Sequence, residues 1–306
     1  MTRALIAALV AWPAVAAAAP ATAIEVDRDD APPAQPELGF DAGSPIGDYA
    51  FAARAGYLDQ PIVLRDGATA IAPVARRETL SLGGAITLGD AVIVDAMLPL
   101  AHQTGASLTA LGASGALADY VVGDLRVGAR LRVGHGFFIR GEITAPTGDD
   151  GSFAGAAGAT YAWNLIGRFD LPAGLVLAAT AGVRLRGEQA TLADRVVGDE
   201  LDGAVGVVAP LSPQLAASAE VAGVVGDTVN GMRGPSPVEL RVGASGRASA
   251  ASPWQLGVHA GFGLDDEIGA PRVRVTAELS WHAGTLAPPP ESSPDHRDDD
   301  DTLSMR

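Results

Sequence analysis

The chain has 306 residues, of which 48% are hydrophobic and only 19% are charged. This composition is too apolar for a disordered protein, and the length is enough for one large core or one large barrel. The formal net charge of −15 argues against nucleic-acid binding, which needs a basic surface, and the lack of cysteine excludes disulfide frameworks and thiolate metal sites.

Residues 1–23 have the form of a secretory signal peptide. One Arg near the start precedes an apolar stretch from Ala4 to Val15, and small residues follow up to Ala23. This order predicts export with cleavage after Ala23, whereas the stretch is short for a transmembrane anchor. We expect the Pro-rich, acidic residues 24–46 to form a periplasmic lead-in or a partial plug, and residues 282–306 to form a disordered Pro- and Asp-rich tail.

After the signal, hydrophobicity comes in short segments that alternate with polar residues. No run of about 18 apolar residues remains, so no helix is expected to span a bilayer. In the last segment Arg272, Arg274, Thr276, Glu278 and Ser280 alternate with Val273, Val275, Ala277, Leu279 and Trp281. Because successive strand side chains point to opposite faces, one face is polar and the other is apolar.

Twelve such segments predict an all-β fold, a transmembrane antiparallel β-barrel over residues 47–281. The connections alternate between short turns and long polar loops, which places both chain ends in the periplasm of a Gram-negative bacterium. A soluble β-sandwich also has alternating strands, but it gives no reason for this rhythm. The predicted strands are 48–57, 79–88, 91–100, 123–133, 137–145, 159–170, 174–186, 200–209, 214–225, 237–248, 254–263 and 272–281.

The aromatic residues support the barrel interpretation. They have the parity of the apolar face and fall at strand ends, as expected for the aromatic girdles of an outer-membrane barrel in contact with lipid. The predicted periplasmic girdle contains Tyr49, Phe137, Phe169, Trp254 and Trp281, and the predicted outer girdle contains Tyr57, Tyr161 and Phe262.

The opposite parity gives a charged lumen. Rings of charge can line a water-filled path for small solutes or ions, or the opposite charges can pair and close the barrel, and the sequence leaves both open. The predicted lumen-lining residues are Arg54, Asp95, Arg126, Arg130, Arg132, Arg140, Glu142, Arg168, Arg184, Arg186, Glu220, Glu239, Arg241, Arg272, Arg274 and Glu278.

Several short motifs resemble the β-barrel domains of OmpA-like outer-membrane proteins, in which a signal peptide and barrel precede calcium-binding repeats and a peptidoglycan-binding domain. The motifs are Tyr49–Tyr57 with Pro61–Arg65, Gly123–Gly128, Ala145–Asp149, Val197–Leu201 and Gly269–Pro271. The likeness covers roughly residues 40–281 and implies a barrel inserted by the barrel-assembly machinery. The chain stops at Arg306, so we do not expect the wall-anchoring role of the family.

Catalysis is not expected. Of the five His residues only His259 lies within a predicted strand, on its polar face, and no G-x-S-x-G element accompanies it. The acidic run Asp298–Asp301 lacks the spacing and glycine of a calcium loop, so no metal or cofactor is predicted. The first hypothesis is a passive narrow channel. The second is a non-conducting structural or surface-display barrel that binds partners through its outer loops, and the third is an outer-membrane hydrolase.

Overall fold

A computed structural model describes residues 22–24, 27, 31–66, 69–106, 108, 116–192 and 195–284. Two single-turn 3-10 helices, Asp150–Ser152 and Pro172–Gly174, lie in connections. The strands of these described ranges are, in chain order, β1 (Tyr49–Asp66), β2 (Thr69–Leu88), β3 (Val92–Thr104), β4 (Tyr120–Val122), β5 (Leu125–Gly134), β6 (Phe137–Ala145), β7 (Thr160–Asp170), β8 (Val176–Arg186), β9 (Ala190–Leu192), β10 (Arg195–Val197), β11 (Glu200–Ser212), β12 (Leu215–Gly226), β13 (Thr228–Val229), β14 (Met232–Arg233), β15 (Val238–Gly246), β16 (Trp254–Gly263) and β17 (Val273–Ala283).

Twelve of these strands form one closed antiparallel barrel. Each wall strand pairs with its neighbours in chain order, and β1 pairs with β17, so the wall has no free edge. The five short strands β4, β9, β10, β13 and β14 lie in connections between wall strands. The predicted fold class and strand number are confirmed.

The two ends of the barrel differ in their connections. At one end, here called the turn end, tight turns such as Gly89–Asp90 and His135–Gly136 join the wall strands, and β1 begins and β17 ends there. At the other end, here called the loop end, long segments such as 146–159 and 187–199 join them. The expected alternation of short and long connections is therefore present.

The prediction of a long loop over 58–78, between the first two predicted strands, is wrong, because β1 and β2 continue through this range as one long hairpin. Apolar residues such as Ile62 and Val74 extend the strand pattern beyond the point where we expected it to end. Two register shifts, between Asp59 and Ile62 and between Ile62 and Leu64, interrupt the ladder. Such bulges bend a strand, and here the hairpin's Ile62 and Val74 become completely buried.

The buried hairpin residues belong to an apolar cluster, here called the dome, at the loop end. It contains one residue from near the chain start and residues from several loops, so the loops pack together. Ile62, Val74, Phe153 and Leu192 are fully buried within it. The members of the dome are Ile24, Ile62, Val74, Leu108, Phe153, Ala190, Leu192, Val197 and Ile268.

Ile62→Val is expected to loosen the dome without affecting the wall. Removing one buried methylene group costs about 0.5–1.5 kcal/mol. We therefore expect faster proteolysis of the loops in the folded protein, measured by cleavage at 25 °C. The matched control is Ile86→Val, because Ile86 lies on the exposed face of the wall. Equal cleavage rates for the two variants would contradict the dome.

Candidate functional site

The outward face of the wall is apolar and carries aromatic residues near both ends. Of the predicted girdle, Tyr49, Phe137, Phe169, Trp254 and Phe262 are exposed, whereas Tyr57, Tyr161 and Trp281 are half-buried. The rings contact each other across neighbouring strands. The ring centroids of Tyr49 and Trp281 lie 5.7 Å apart, and those of Phe137 and Phe169 lie 5.6 Å apart. Phe51, Tyr120 and Trp163 are further exposed aromatics that we did not single out from the sequence.

Most predicted lumen residues lie on the inward, buried face. Arg132 and Arg272 are exposed at strand ends instead. Arg77, in the hairpin that was expected to be a loop, is an additional inward charge. The buried or half-buried inward charges of the described wall are ten arginines, Arg54, Arg77, Arg126, Arg130, Arg140, Arg168, Arg184, Arg186, Arg241 and Arg274, and seven carboxylates, Asp95, Glu142, Glu200, Asp202, Glu220, Glu239 and Glu278.

Opposite charges of the wall pair within one strand, between neighbouring strands and across an intervening strand. Arg54 Nε donates to Glu278 at 2.8 Å, and both guanidinium ends of Arg140 donate to Asp95. Arg274 and Arg241 share Glu239, at 2.7 and 3.0 Å. These pairs satisfy groups that would be costly to bury alone, since removal of one partner of a buried pair costs about 3–5 kcal/mol. The inner face is therefore a rigid, cross-linked charged surface.

The chain before β1 lies inside the barrel. We call the described residues between 22 and 47 the plug. Near the loop end Ile24 packs in the dome, and Arg274 Nη1 lies 2.9 Å from Asp27 Oδ1. Near the turn end, the Ile46 carbonyl bonds His282 Nδ1 at 3.1 Å. The plug therefore follows the lumen from the loop end to the turn end, where β1 starts.

Glycines of the wall make room for the plug. A Cβ at Gly257 would lie 2.3 Å from the Pro36 carbonyl oxygen, and one at Gly206 would lie 2.9 Å from the Leu38 side chain. Leu38 and Phe40 pack with Ala178 and Val208 of the wall in a small buried cluster. The plug thus lies in van der Waals contact with the wall along its middle.

Polar groups of the wall hold the backbone of the plug. Arg54 donates to the carbonyls of Ala31 and Pro32 at 3.0 and 3.2 Å. The Pro36 carbonyl bonds His259 Nε2 at 2.9 Å. Further along the plug, Glu220 accepts from Gly39 N at 2.7 Å, and Arg241 donates to the Gly39 carbonyl at 3.2 Å.

Asp41 is the buried carboxylate in the middle of the plug. Its Oδ1 accepts from Arg130 Nη1 and, at 3.0 Å, from the backbone N–H of Gly43. Its Oδ2 lies 3.8 Å from Arg140 Nη1. Arg130 also donates to the Ser44 carbonyl, so one guanidinium binds the plug at two points. Two wall arginines therefore surround one plug carboxylate.

A cavity of about 60 Å³ lies beside the plug, large enough for a few water molecules. One side is formed by Gly39, Phe40 and Asp41, and the other by wall residues of β6–β8, β11, β12 and β15. The charged and polar wall groups facing it are Arg140, Glu142, Asn164, Arg184, Asp202, Glu239 and Arg241. It is the space that the plug leaves beside itself in the lumen.

Two histidines that could act as a base, His259 and His282, are buried and not accessible to a substrate. His259 is buried and bonded to the plug. A pair that sequence reasoning missed, Ser280 Oγ and His282 Nε2, lies at 3.0 Å, yet the Ser280 side chain is 0% exposed. A nucleophile needs access to substrate as well as a base, and the plug covers this pair. Among the described residues, no group of three metal-ligating acidic or His side chains occurs, and no helix is long and apolar enough to cross a membrane.

No family model matches the sequence, and no curated protein matches it. The fold is similar to that of an outer membrane channel from Pseudomonas putida F1, with a TM-score of 0.56, 16% identity and coverage of 81% of this chain and 98% of that one. The chain has the fold of an outer-membrane β-barrel. Two porins match less well. NanC porin has a TM-score of 0.49 and 7% identity, with coverage of 77% of this chain and 100% of that one. KdgM porin has a TM-score of 0.45 and 10% identity, with coverage of 76% of this chain and 99% of that one.

Proposed function

We propose that the protein is a passive outer-membrane channel for small solutes, in which the plug narrows the path. The supporting observation is the cavity between the plug and the wall, lined by charged residues of both signs, inside a closed barrel with an apolar outer face. A lumen with charges of both signs can set the preference for ions or solutes. The Pseudomonas putida protein of similar fold is described as a channel, which agrees with this proposal.

The proposal includes the location and assembly of the protein. The chain is exported through its signal peptide and inserted by the barrel-assembly machinery into the outer membrane, with the turn end in the periplasm and the loop end outside. Residues 1–21 and 285–306, with nearly all of the signal and tail, lie outside the described residues. Membership in the OmpA-like group rests on the short motifs alone and remains a hypothesis.

Single-channel recording of the refolded mature protein in a planar bilayer tests the channel. We expect small conductance steps, because the plug occupies most of the lumen. Replacement of Arg184 by Glu, at the cavity, is expected to shift ion preference toward cations. The control is Arg132→Glu, because Arg132 is exposed at a strand end. A folded, inserted protein without steps would contradict the channel.

The dome favours a second candidate, a non-conducting structural or surface-display barrel. Loops that pack on one apolar cluster form a fixed outer surface, which is suited to binding a partner. In that case the protein inserts but is silent in the bilayer, and changes in loops at the loop end alter partner binding. We propose no enzymatic activity, because Ser280 and His259 are both covered by the plug.

A further inference from the structure

The plug is held as an anionic ligand would be held. Arg54, Arg126 and Arg241 donate to its backbone carbonyls, and Arg130 and Arg274 contact its carboxylates. Guanidinium groups suit carboxylates because their planar donors match the two oxygens, and charged hydrogen bonds are about twice as strong as neutral ones. The wall therefore contacts the plug mainly through cations that bind oxygen.

The charges of the wall and the plug are complementary. The described wall strands have ten inward arginines against seven inward carboxylates, and the half-buried Arg247 directly follows β15, so positive charge is in excess. The described plug residues carry three carboxylates, Asp27, Glu37 and Asp41, and no cation. A plug that moved aside would leave a lumen with surplus positive charge, and such a lumen concentrates anions.

Asp41 lies where the plug borders the cavity. Arg130 and the Gly43 N–H bind one oxygen of its carboxylate, Arg140 faces the other, and both Asp41 and Arg140 line the cavity. A free carboxylate that replaced Asp41 would meet the same two guanidinium groups and, with the plug in place, the same Gly43 N–H. This pocket is already shaped for one carboxylate group.

We propose that the pocket of Arg130 and Arg140 is a carboxylate-binding subsite on the solute path, and that Asp41 occupies it as a tethered stand-in for the solute. The solutes are small carboxylate anions, which compete with Asp41 and thereby loosen the plug. The transport part of this inference rests on the proposed channel function, whereas the binding part does not.

Chemical rescue in the full mature chain tests the subsite. Asp41→Ala removes the carboxylate and leaves its space open. We expect the unfolding midpoint of this variant, followed by heat-dependent gel shift, to fall. Sodium acetate should restore it saturably by about 3 °C relative to sodium chloride of equal ionic strength. Asp41→Asn is the matched control, because it removes the charge but fills the space, so acetate should have no specific effect.

Rescue of Asp41→Ala by acetate, lost when Arg130→Gln is added, would support the subsite. An equal response of Asp41→Ala to acetate and chloride would overturn it. If Asp41→Ala does not fold, Asp41→Ser, which also removes the carboxylate beside Arg130 but keeps an oxygen that can accept from the Gly43 N–H, provides the same comparison. In that variant too, a specific acetate effect supports carboxylate binding beside Arg130, and its absence overturns the subsite.

Conductance separates the two proposals. Steps from Asp41→Ala with increased anion preference support both. If acetate rescues an inserted protein that shows no conductance steps, the subsite is supported and the channel is contradicted. If Asp41→Ala shows conductance steps with unchanged ion selectivity and acetate does not rescue it, the channel is supported and the subsite is contradicted.

Discussion

Gly257→Ala is expected to unseat the plug and raise the channel's open probability by about 5–30-fold. The new Cβ would lie 2.3 Å from the Pro36 carbonyl oxygen and 2.6 Å from Pro36 Cβ, where the plug crosses β16. Overpacking of this kind costs about 1–3 kcal/mol. A change of one or two kcal/mol shifts a two-state population by about 5–30-fold. Single-channel recording measures the change directly.

Gly56→Ala is the matched control for this variant. Gly56 also has inward parity, but a Cβ there would meet only Thr79 and Thr276, at 3.7 and 4.0 Å. Those are ordinary van der Waals distances, so the plug is expected to stay in place. Equal open probabilities for Gly257→Ala, Gly56→Ala and the unchanged protein would mean that the plug does not limit conduction.

Val205→Arg is expected to lower the free energy of unfolding in lipid by about 2–4 kcal/mol, the cost of a cation facing lipid at the membrane midplane. Val205 lies near the middle of β11, pairs with Ala179 and Val221, and is 49% exposed. Denaturant titration of the protein refolded in vesicles measures this loss.

Leu211→Arg provides the comparison at the edge of the wall. Leu211 is also exposed on β11, but it lies at the turn end, where a cation costs only about 0–1 kcal/mol. If both variants lost the same stability, the outer face of β11 would not be crossing hydrocarbon. The pair therefore tests depth in the membrane and not merely the effect of a new charge.

The wall could be predicted from the sequence because its information is local. Alternation fixes which side chains share a face, so the inward position of Arg140 and the outward position of Trp254 follow from parity. Parity says nothing about where the lumen ends, which is why Arg132 and Arg272 are exposed at strand ends. The extension of β1 and β2 is not predicted, because residues 58–78 read as one of the long polar loops.

The plug could not be traced from the sequence because its contacts are long-range. Gly39 bonds Glu220 and Pro36 bonds His259, partners separated by 181 and 223 residues. The segment has no strand or helix periodicity, so a pattern search gives it no position. The dome was missed for a similar reason, since Ile24 and Ile268 come from opposite ends of the barrel sequence.

The most direct test of the central claim, that the N-terminal segment fills the lumen, uses a single cysteine. The chain has no cysteine of its own, and Ala42 of the plug is 1% exposed. In vesicles, Ala42→Cys is expected to resist a charged, membrane-impermeant maleimide until the barrel is unfolded, while His135→Cys at the turn end reacts at once when the reagent is present on both sides. Labelling of Ala42→Cys in the folded barrel as fast as His135→Cys would contradict a filled lumen.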